Sequence, residues 1–284
     1  MAPHLPRPGH GLLRCPVCRL DLTAASGALS CHNRHSFDLA REGYVNLLLG
    51  SYRRPAAGGD SSEQLRHRAL FLEAVYFDAI ATTIVSRLPP AGSMRSGWRV
   101  LDAGFGTGHH LAGIAAALKA PMIGLGLDIA RGAARRAARR WPELAFAVAD
   151  LWAEWPVRDK AADLVISIFA PKNFAEAARV LRPGGWLAVA YPGADHLAEL
   201  NRRFGLMQQH PHKMRDYMEA AGRLVGPCIV ARLFRRSVLD GAAIRDAVLM
   251  GPNARHIAPA ALNGEAGQLS VTFDVSILLA RKRR

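Results

Sequence analysis

Leu101-Asp102-Ala103-Gly104-Phe105-Gly106-Thr107-Gly108 is the stretch that decides the fold. It continues the strand-like run that begins at Arg99 and opens into an Ala/Leu-rich helix. Glycines at such a turn let a nucleotide-type ligand approach the backbone, with a helix N-terminus below it. A dinucleotide fingerprint would need glycine three positions after Gly106, where His109 stands, and no Lys-Ser/Thr completes a phosphate-binding P-loop. Outward from the loop, apolar runs alternate with helical segments: Pro121 to Asp128, Leu144 to Asp150, Leu164 to Ala170 and Trp186 to Tyr191. The alternation predicts βαβ units and a mostly parallel sheet covered on both faces. Two more strands are read at Cys228 to Phe234 and Val271 to Leu279. In the last, Val271, Phe273, Val275 and Ile277 alternate with Thr272, Asp274 and Ser276, the period of a half-exposed strand. The expectation is an α/β, Rossmann-like sheet of seven strands. Upstream, Leu65, Ala69, Leu72, Tyr76, Ile80 and Ile84 recur at helical spacing, so residues 63–95 read as helix.

Acidic residues complete a cofactor site on this sheet. Asp128 ends the second run, placed for ribose hydroxyls, and Asp150 ends the third, placed for an adenine amino group with Leu151 beside the ring. Each alone reads as an ordinary loop aspartate. Three acids at successive strand ends beside a glycine loop are far more specific. The pattern Asp-x-Gly-x-Gly-x-Gly resembles the S-adenosylmethionine (SAM) loop of class I methyltransferases. That resemblance implies cofactor contacts at Asp102, Gly104, Gly106, Gly108 and His109.

A second signal lies near the N-terminus. Cys15, Cys18, Cys31 and His35 are spaced C-x2-C-x12-C-x3-H, which suits a tetrahedral Zn²⁺ with a closed, structural shell. His32 is the alternative fourth ligand, but its place next to Cys31 makes a return to the same ion difficult. The cluster also points to a reducing compartment rather than a disulfide framework. The chain thus divides into a disordered N-terminus at 1–11, a zinc-binding domain at 12–50, a linker and helical segment at 51–95, and a methyltransferase domain at 96–284.

Charge narrows the partner. Lys and Arg number 37 against 23 Asp and Glu, a formal net charge of +14 in 284 residues, which attracts a polyanion. No apolar run has the length of a membrane span and the first eleven residues hold no signal-peptide core, so a cytoplasmic protein is expected. Candidate RNA-contacting residues are Arg14, Arg19, Arg34 and Arg41, Arg53 and Arg54, Arg135, Arg136, Arg139 and Arg140, and the terminal Arg281-Lys282-Arg283-Arg284. A solvated surface is the ordinary explanation of each. Together with the net charge they favour a cationic groove between the zinc domain and the cofactor edge.

Beyond its first ten residues the chain resembles the 23S ribosomal RNA guanine-N1 methyltransferases, a family that includes a tylosin-resistance enzyme of antibiotic producers. The resemblance rests on the Cys/His cluster, Phe37-Asp38, Glu42-Gly43-Tyr44-Val45-Asn46-Leu47-Leu48 and the glycine loop. Gly108-His109-His110-Leu111-Ala112, Phe169-Ala170-Pro171, Asp195-His196-Leu197-Ala198-Glu199-Leu200 and Met250-Gly251-Pro252 resemble the resistance-type branch. It implies methyl transfer from SAM to N1 of a guanine in the hairpin 35 loop, with macrolide resistance of the tylosin or mycinamicin type. It also implies the large ribosomal subunit or its precursor as partner, a homodimer as one assembly, and Phe77 and His196 against the cofactor. Two departures from the family pattern stand out: Phe77 replaces the usual tyrosine, and Phe105 a small residue or cysteine. Guanine N1 carries a proton and lies on the pairing edge, so the base must be unpaired or flipped. Phe169-Ala170-Pro171-Lys172-Asn173 and Asp195-His196 are candidates to line its pocket. His109 and His110 read first as ordinary surface or core residues, and no general base is chosen. The rival readings are a small-molecule methyltransferase of the same fold, which leaves the zinc module and charge unexplained, and a non-catalytic RNA-binding protein.

Overall fold

A computed structural model describes residues 5–50, 59–90, 97–206, 213–251, 254, 256–257, 262 and 267–284. Arg53 and Arg54 lie outside the described residues, as does Pro252. The Cys/His segment folds as three short antiparallel strands, β1 (Thr23–Ala25), β2 (Ala28–Ser30) and β3 (Ser36–Asp38). The next strand, β4 (Val45–Asn46), leaves that sheet. Helices α1 (Ser62–Glu73) and α2 (Asp78–Val85) follow, then the alternating region: β5 (Trp98–Ala103), α3 (His109–Leu118), β6 (Met122–Asp128), α4 (Arg131–Arg140), β7 (Ala145–Val148), β8 (Ala162–Ile168), α5 (Phe174–Val180) and β9 (Leu181–Pro192). Helices α6 (Ala198–Phe204) and α7 (Lys213–Leu224), β10 (Cys228–Leu239), α8 (Gly241–Leu249) and β11 (Leu269–Arg281) complete the described elements.

The main sheet runs β10-β11-β9-β8-β5-β6-β7-β4. It is parallel except where β11 lies antiparallel between β9 and β10. The expected count of seven strands becomes eight, because Val45 and Asn46 pair in parallel with Ala147 and Val148. Two residues are too short to announce a strand. Their pairing makes the zinc segment an edge of the catalytic sheet. One face of the sheet accordingly shares its core with that segment: Leu13, Leu22, Leu29, Val45 and Leu47 cluster with Leu101, Leu125, Ala147, Trp155 and Val157.

Three further expectations are corrected. In place of the disorder expected at 1–11, Pro8–Leu12 forms a 3-10 turn with His10 and Leu12 buried. A side chain at Gly9 would overlap the carbonyl of Gly124, so only glycine lets the turn lie on β6. Arg7 fixes this arrangement. Its guanidinium donates to the carbonyls of Leu144 (2.6 Å), Glu42 (2.8 Å), Ala138 (2.9 Å) and Trp141 (3.4 Å), closing the end of α4. Arg7→Ala should therefore destabilise the protein by about 2–3 kcal/mol, since charged hydrogen bonds to part-buried carbonyls are lost together. A chemical-denaturation midpoint unchanged from the parent would refute that role.

The helix read over 63–95 breaks at residues 74–77. Val75 adopts φ +57°, a strained value for a β-branched residue, and Arg235 donates to the carbonyls of Val75 and Tyr76 from β10. Phe77 then caps α2, which starts at Asp78. The apolar spacing hid the break because Tyr76 and Ile80 stay in helical register. Finally, β11 is buried on both faces rather than half-exposed, because β9 and β10 flank it and helices cover it. Its polar residues are satisfied inside: Thr272 bonds Glu199 through N (2.8 Å) and Oγ1 (2.7 Å), and Asp274 accepts from Arg232 at 2.7 and 2.9 Å.

Candidate active site and zinc centre

Two tight turns build the metal cluster. In the first, Cys15 N donates to Leu20 O and Arg19 N to Cys15 O, with Arg19 at φ +62°. In the second, Cys31 N donates to His35 O and Arg34 N to Cys31 O, with Arg34 at φ +63°. The turns face each other and bring donor atoms of Cys15, Cys18, Cys31 and His35 within 4.8 Å of one another. Cys18 Sγ lies 3.6 Å from Cys31 Sγ, and His35 Nδ1 lies 3.5 Å from Cys15 Sγ and 3.4 Å from Cys31 Sγ. Thiolates about 2.3 Å and an imidazole about 2.0–2.1 Å from a tetrahedral zinc stand roughly 3.5–3.8 Å apart, so the donor set fits that ion. His35, not the exposed His32, supplies the imidazole.

The glycine loop links β5 to α3. Gly104, Gly106 and Gly108 take φ values of +96°, +54° and +77°, which side chains rarely adopt. A Cβ at Gly104 would overlap Ala170, and one at Gly108 would meet Trp141 at 2.8 Å. The Phe105 departure is absorbed by packing: its ring is buried, lies tilted against Phe146 with centroids 4.8 Å apart, and fills the space where β6 carries Gly126 instead of a side chain.

Asp102, the penultimate residue of β5, has both carboxylate oxygens buried and without a partner. Burial, with the neighbouring Asp128 adding to it, raises its pKa to about 8. Thr107 Oγ1 and His196 Nδ1 are likewise buried and unpartnered. Among the described residues, four of the seven such atoms belong to Asp102, Thr107 and His196, around the loop. Orphaned polar atoms of this kind are uncommon in a native fold, and several gathered in one place leave hydrogen-bonding capacity for a polar ligand. A cationic, amino-acid-bearing nucleoside such as SAM fits them, because it brings both a positive charge and hydrogen-bonding groups. Asp128 accepts from Gly106 N (3.0 Å) and Ala130 N (2.9 Å), holding the loop to the end of β6. Asp150 follows β7 and accepts from Trp152 N at 2.9 Å, with Leu151 buried beside it.

The rings of Phe77, Phe169 and His196 meet in one cluster. Ring centroids lie 5.2 Å apart for Phe77 and Phe169, 5.9 Å for Phe77 and His196, and 5.8 Å for Phe169 and His196. Phe273 backs Phe77 at 5.5 Å. Burial lowers the His196 pKa to about 4, so its imidazole is neutral at physiological pH. Burial also lowers His110, to about 3, helped by His109 and Arg68. His109 instead meets Asp78 at 3.1 Å, linking α3 to α2.

Sequence reasoning missed Thr107, hidden among glycines, and Arg68. The guanidinium of Arg68 lies 3.2 Å from where a Gly106 Cβ would stand and bonds Asp60 and Met250 O, but on α1 it reads as one more surface arginine. Several proposed RNA contacts are occupied within the fold. Arg14 is buried against Glu154 and Asp159, Arg139 meets Glu42 at 2.6 Å, and Lys282 donates to Ala178 O and Leu181 O. Arg19 and Arg135 remain largely exposed. No helix among the described residues is long and apolar enough to cross a membrane.

Comparison with known proteins agrees with both halves of this architecture. A zinc-ribbon family model described as "RlmA, N-terminal" matches residues 13–50, and one described as "Methyltransferase domain" matches residues 100–185. The 23S rRNA (guanine(748)-N(1))-methyltransferase of Streptomyces fradiae is 37% identical over 95% of this chain and 96% of its own. A protein of Micromonospora griseorubida, provisionally named a 23S rRNA (guanine-N(1)-)-methyltransferase, is 39% identical over 95% of this chain and 97% of its own. With its zinc ribbon, its SAM-dependent methyltransferase sheet and this similarity along nearly its full length, the chain belongs to the 23S rRNA (guanine-N1)-methyltransferase family.

Proposed function

We propose that the protein methylates N1 of a single guanine in the hairpin 35 loop of 23S rRNA, the guanine equivalent to that named for the Streptomyces fradiae relative. The observation that carries this reading is the 37% identity over 95% of the chain, spanning zinc segment and catalytic sheet together. The small-molecule alternative accounts for the catalytic sheet but not for the zinc ribbon or the net charge of +14. Macrolide resistance follows from the same reading, because the modified loop lines the exit tunnel near the drug site.

In this mechanism SAM supplies a methyl group already activated by its sulfonium. The chain's residues bind and orient. Asp102, Thr107 and the three glycines hold the cofactor at the end of β5, Asp128 takes the ribose, and Asp150 with Leu151 takes the adenine. Phe77 and His196 close the opposite wall, and His109 sits at the start of α3 beside the cofactor. A neutral His196 accepts or donates a hydrogen bond without adding positive charge near a sulfonium. Cys15, Cys18, Cys31 and His35 hold the zinc. The zinc segment (12–50) and the catalytic part (96–284) divide the work between RNA contact and methyl transfer, and exposed arginines such as Arg19 and Arg135 meet phosphates. The N1 proton is lost to solvent, early or late, and orientation of an unpaired base supplies much of the acceleration.

Incubation with unmodified 23S rRNA and SAM should produce one new reverse-transcriptase stop in hairpin 35. Activity should fall steeply with salt, since each phosphate neutralised releases counterions. Salt-insensitive turnover with no stop, from a SAM-bound protein, would favour the small-molecule reading.

A further inference from the structure

The loop after β8 carries a feature that cofactor binding does not explain. Phe169 adopts φ +51°, a left-handed conformation that a bulky aromatic residue rarely takes. The strain is held in place from several sides. Phe169 N donates to Ala190 O (3.1 Å), Ser167 Oγ donates to Pro171 O (3.2 Å), and Asn173 Nδ2 donates to Leu151 O (3.2 Å) while its Oδ1 accepts from Glu176 N (3.2 Å). Ala170 rests on Gly104, so the loop is seated directly on the cofactor turn. Strain maintained by an over-determined surrounding is characteristic of functional positions.

The conformation has a clear consequence. It lays the Phe169 ring against the buried Phe77 and the half-buried His196, yet leaves Phe169 itself 38% exposed. Phe77 and Phe273 in the same cluster are only 3% and 2% exposed. The cluster, joined to the glycine turn through Ala170, therefore ends in one aromatic ring, backed by two others and open to solvent. Resting on the rRNA reading above, we propose that Phe169 is the platform on which the unpaired target guanine stacks, a substrate-positioning contact that presents the base edge to the cofactor. A single-stranded base offers a π face to any aromatic ring, and such stacking is the usual means of holding a splayed nucleotide. The platform fixes the plane of the base; it does not choose guanine over other bases.

Phe169→Leu tests this directly, because leucine keeps much of the bulk and meets the same backbone strain while removing the π face. The expected result is a roughly 10- to 100-fold loss of kcat/KM on hairpin 35 RNA, the size of one lost base stack. SAM affinity by calorimetry should stay within about twofold of the parent, and Phe169→Trp should restore most of the activity. RNA with 2-aminopurine at the target position adds a spectroscopic readout: the probe should be quenched by ring stacking in the parent complex and bright in the Phe169→Leu complex. Equal fluorescence with equal kcat/KM would overturn the proposal. A parallel loss of SAM affinity would overturn it too, by making Phe169 part of the cofactor wall. Absence of any methylation by the parent protein is a separate outcome; it removes the rRNA reading and this proposal with it.

Discussion

Asp102→Asn should give a protein that melts at a higher temperature than its parent and yet binds SAM about 10- to 100-fold more weakly. The two effects have one cause. The carboxyl of Asp102 is 1% exposed, has no hydrogen-bond partner on either oxygen, and lies near Asp128, so burial raises its pKa to about 8. In the unfolded chain the same group ionises near 3.8. Between these values the unfolded state has released a proton that the folded state retains. Stability without cofactor therefore falls as pH rises through that window and levels off above about 8. Asparagine removes this penalty. A cationic cofactor reverses the balance, because it favours the ionised carboxylate and forms a charge-assisted contact that a neutral amide lacks. Such contacts are worth about 1.5–3 kcal/mol, which sets the expected loss. SAM affinity of the parent should rise between pH 6 and 8 with proton release on binding, and the variant should show neither. Calorimetry in buffers of different ionisation enthalpy measures that release. Unchanged affinity in Asp102→Asn would remove Asp102 from the site.

What the sequence revealed and what it hid follow from the range of the interactions involved. The positions of the glycine loop, Asp102, Asp128 and Asp150 at or beside strand ends were legible, because local pattern dictates position there. The zinc ligands were legible for the same reason: two local turns carry all four. Contacts between distant segments were not legible. Nothing in Val45-Asn46 announces a sheet edge beside Ala147, and nothing in a proline-rich N-terminus announces that Arg7 will meet the end of α4. Asp274 looked like the polar face of an exposed strand until Arg232 and the backbone N–H of Asp195 filled its valences. Phe169 could be placed in the loop after a strand from sequence, but its left-handed backbone, held by a hydrogen bond to Ala190, could not.

The zinc segment carries the largest expected effect on the molecule as a whole. Read from sequence, residues 12–50 divide off as a separate zinc-binding domain. The structure argues otherwise. Leu13, Leu29, Val45 and Leu47 share a core with Leu101 and Leu125 on β5 and β6, and Arg14 joins Glu154 and Asp159 across the same boundary. Stripping the metal removes about 10–16 kcal/mol of binding energy of the kind structural zinc supplies, comparable with the whole stability of a domain. Cys15→Ser should accordingly lower zinc content below one ion per chain and depress the melting temperature by roughly 10 °C or more. It should do so in a single cooperative transition rather than two. SAM affinity should fall along with it, since loss of β4 and the turn at Pro8–Leu12 uncovers β6 and β7, which carry Asp128 and lead to Asp150. Elemental analysis, scanning calorimetry and SAM titration of the same preparation decide the matter. Two separate transitions, the upper one retaining full SAM affinity, would restore the picture of an independent module and refute the shared core as a unit of stability.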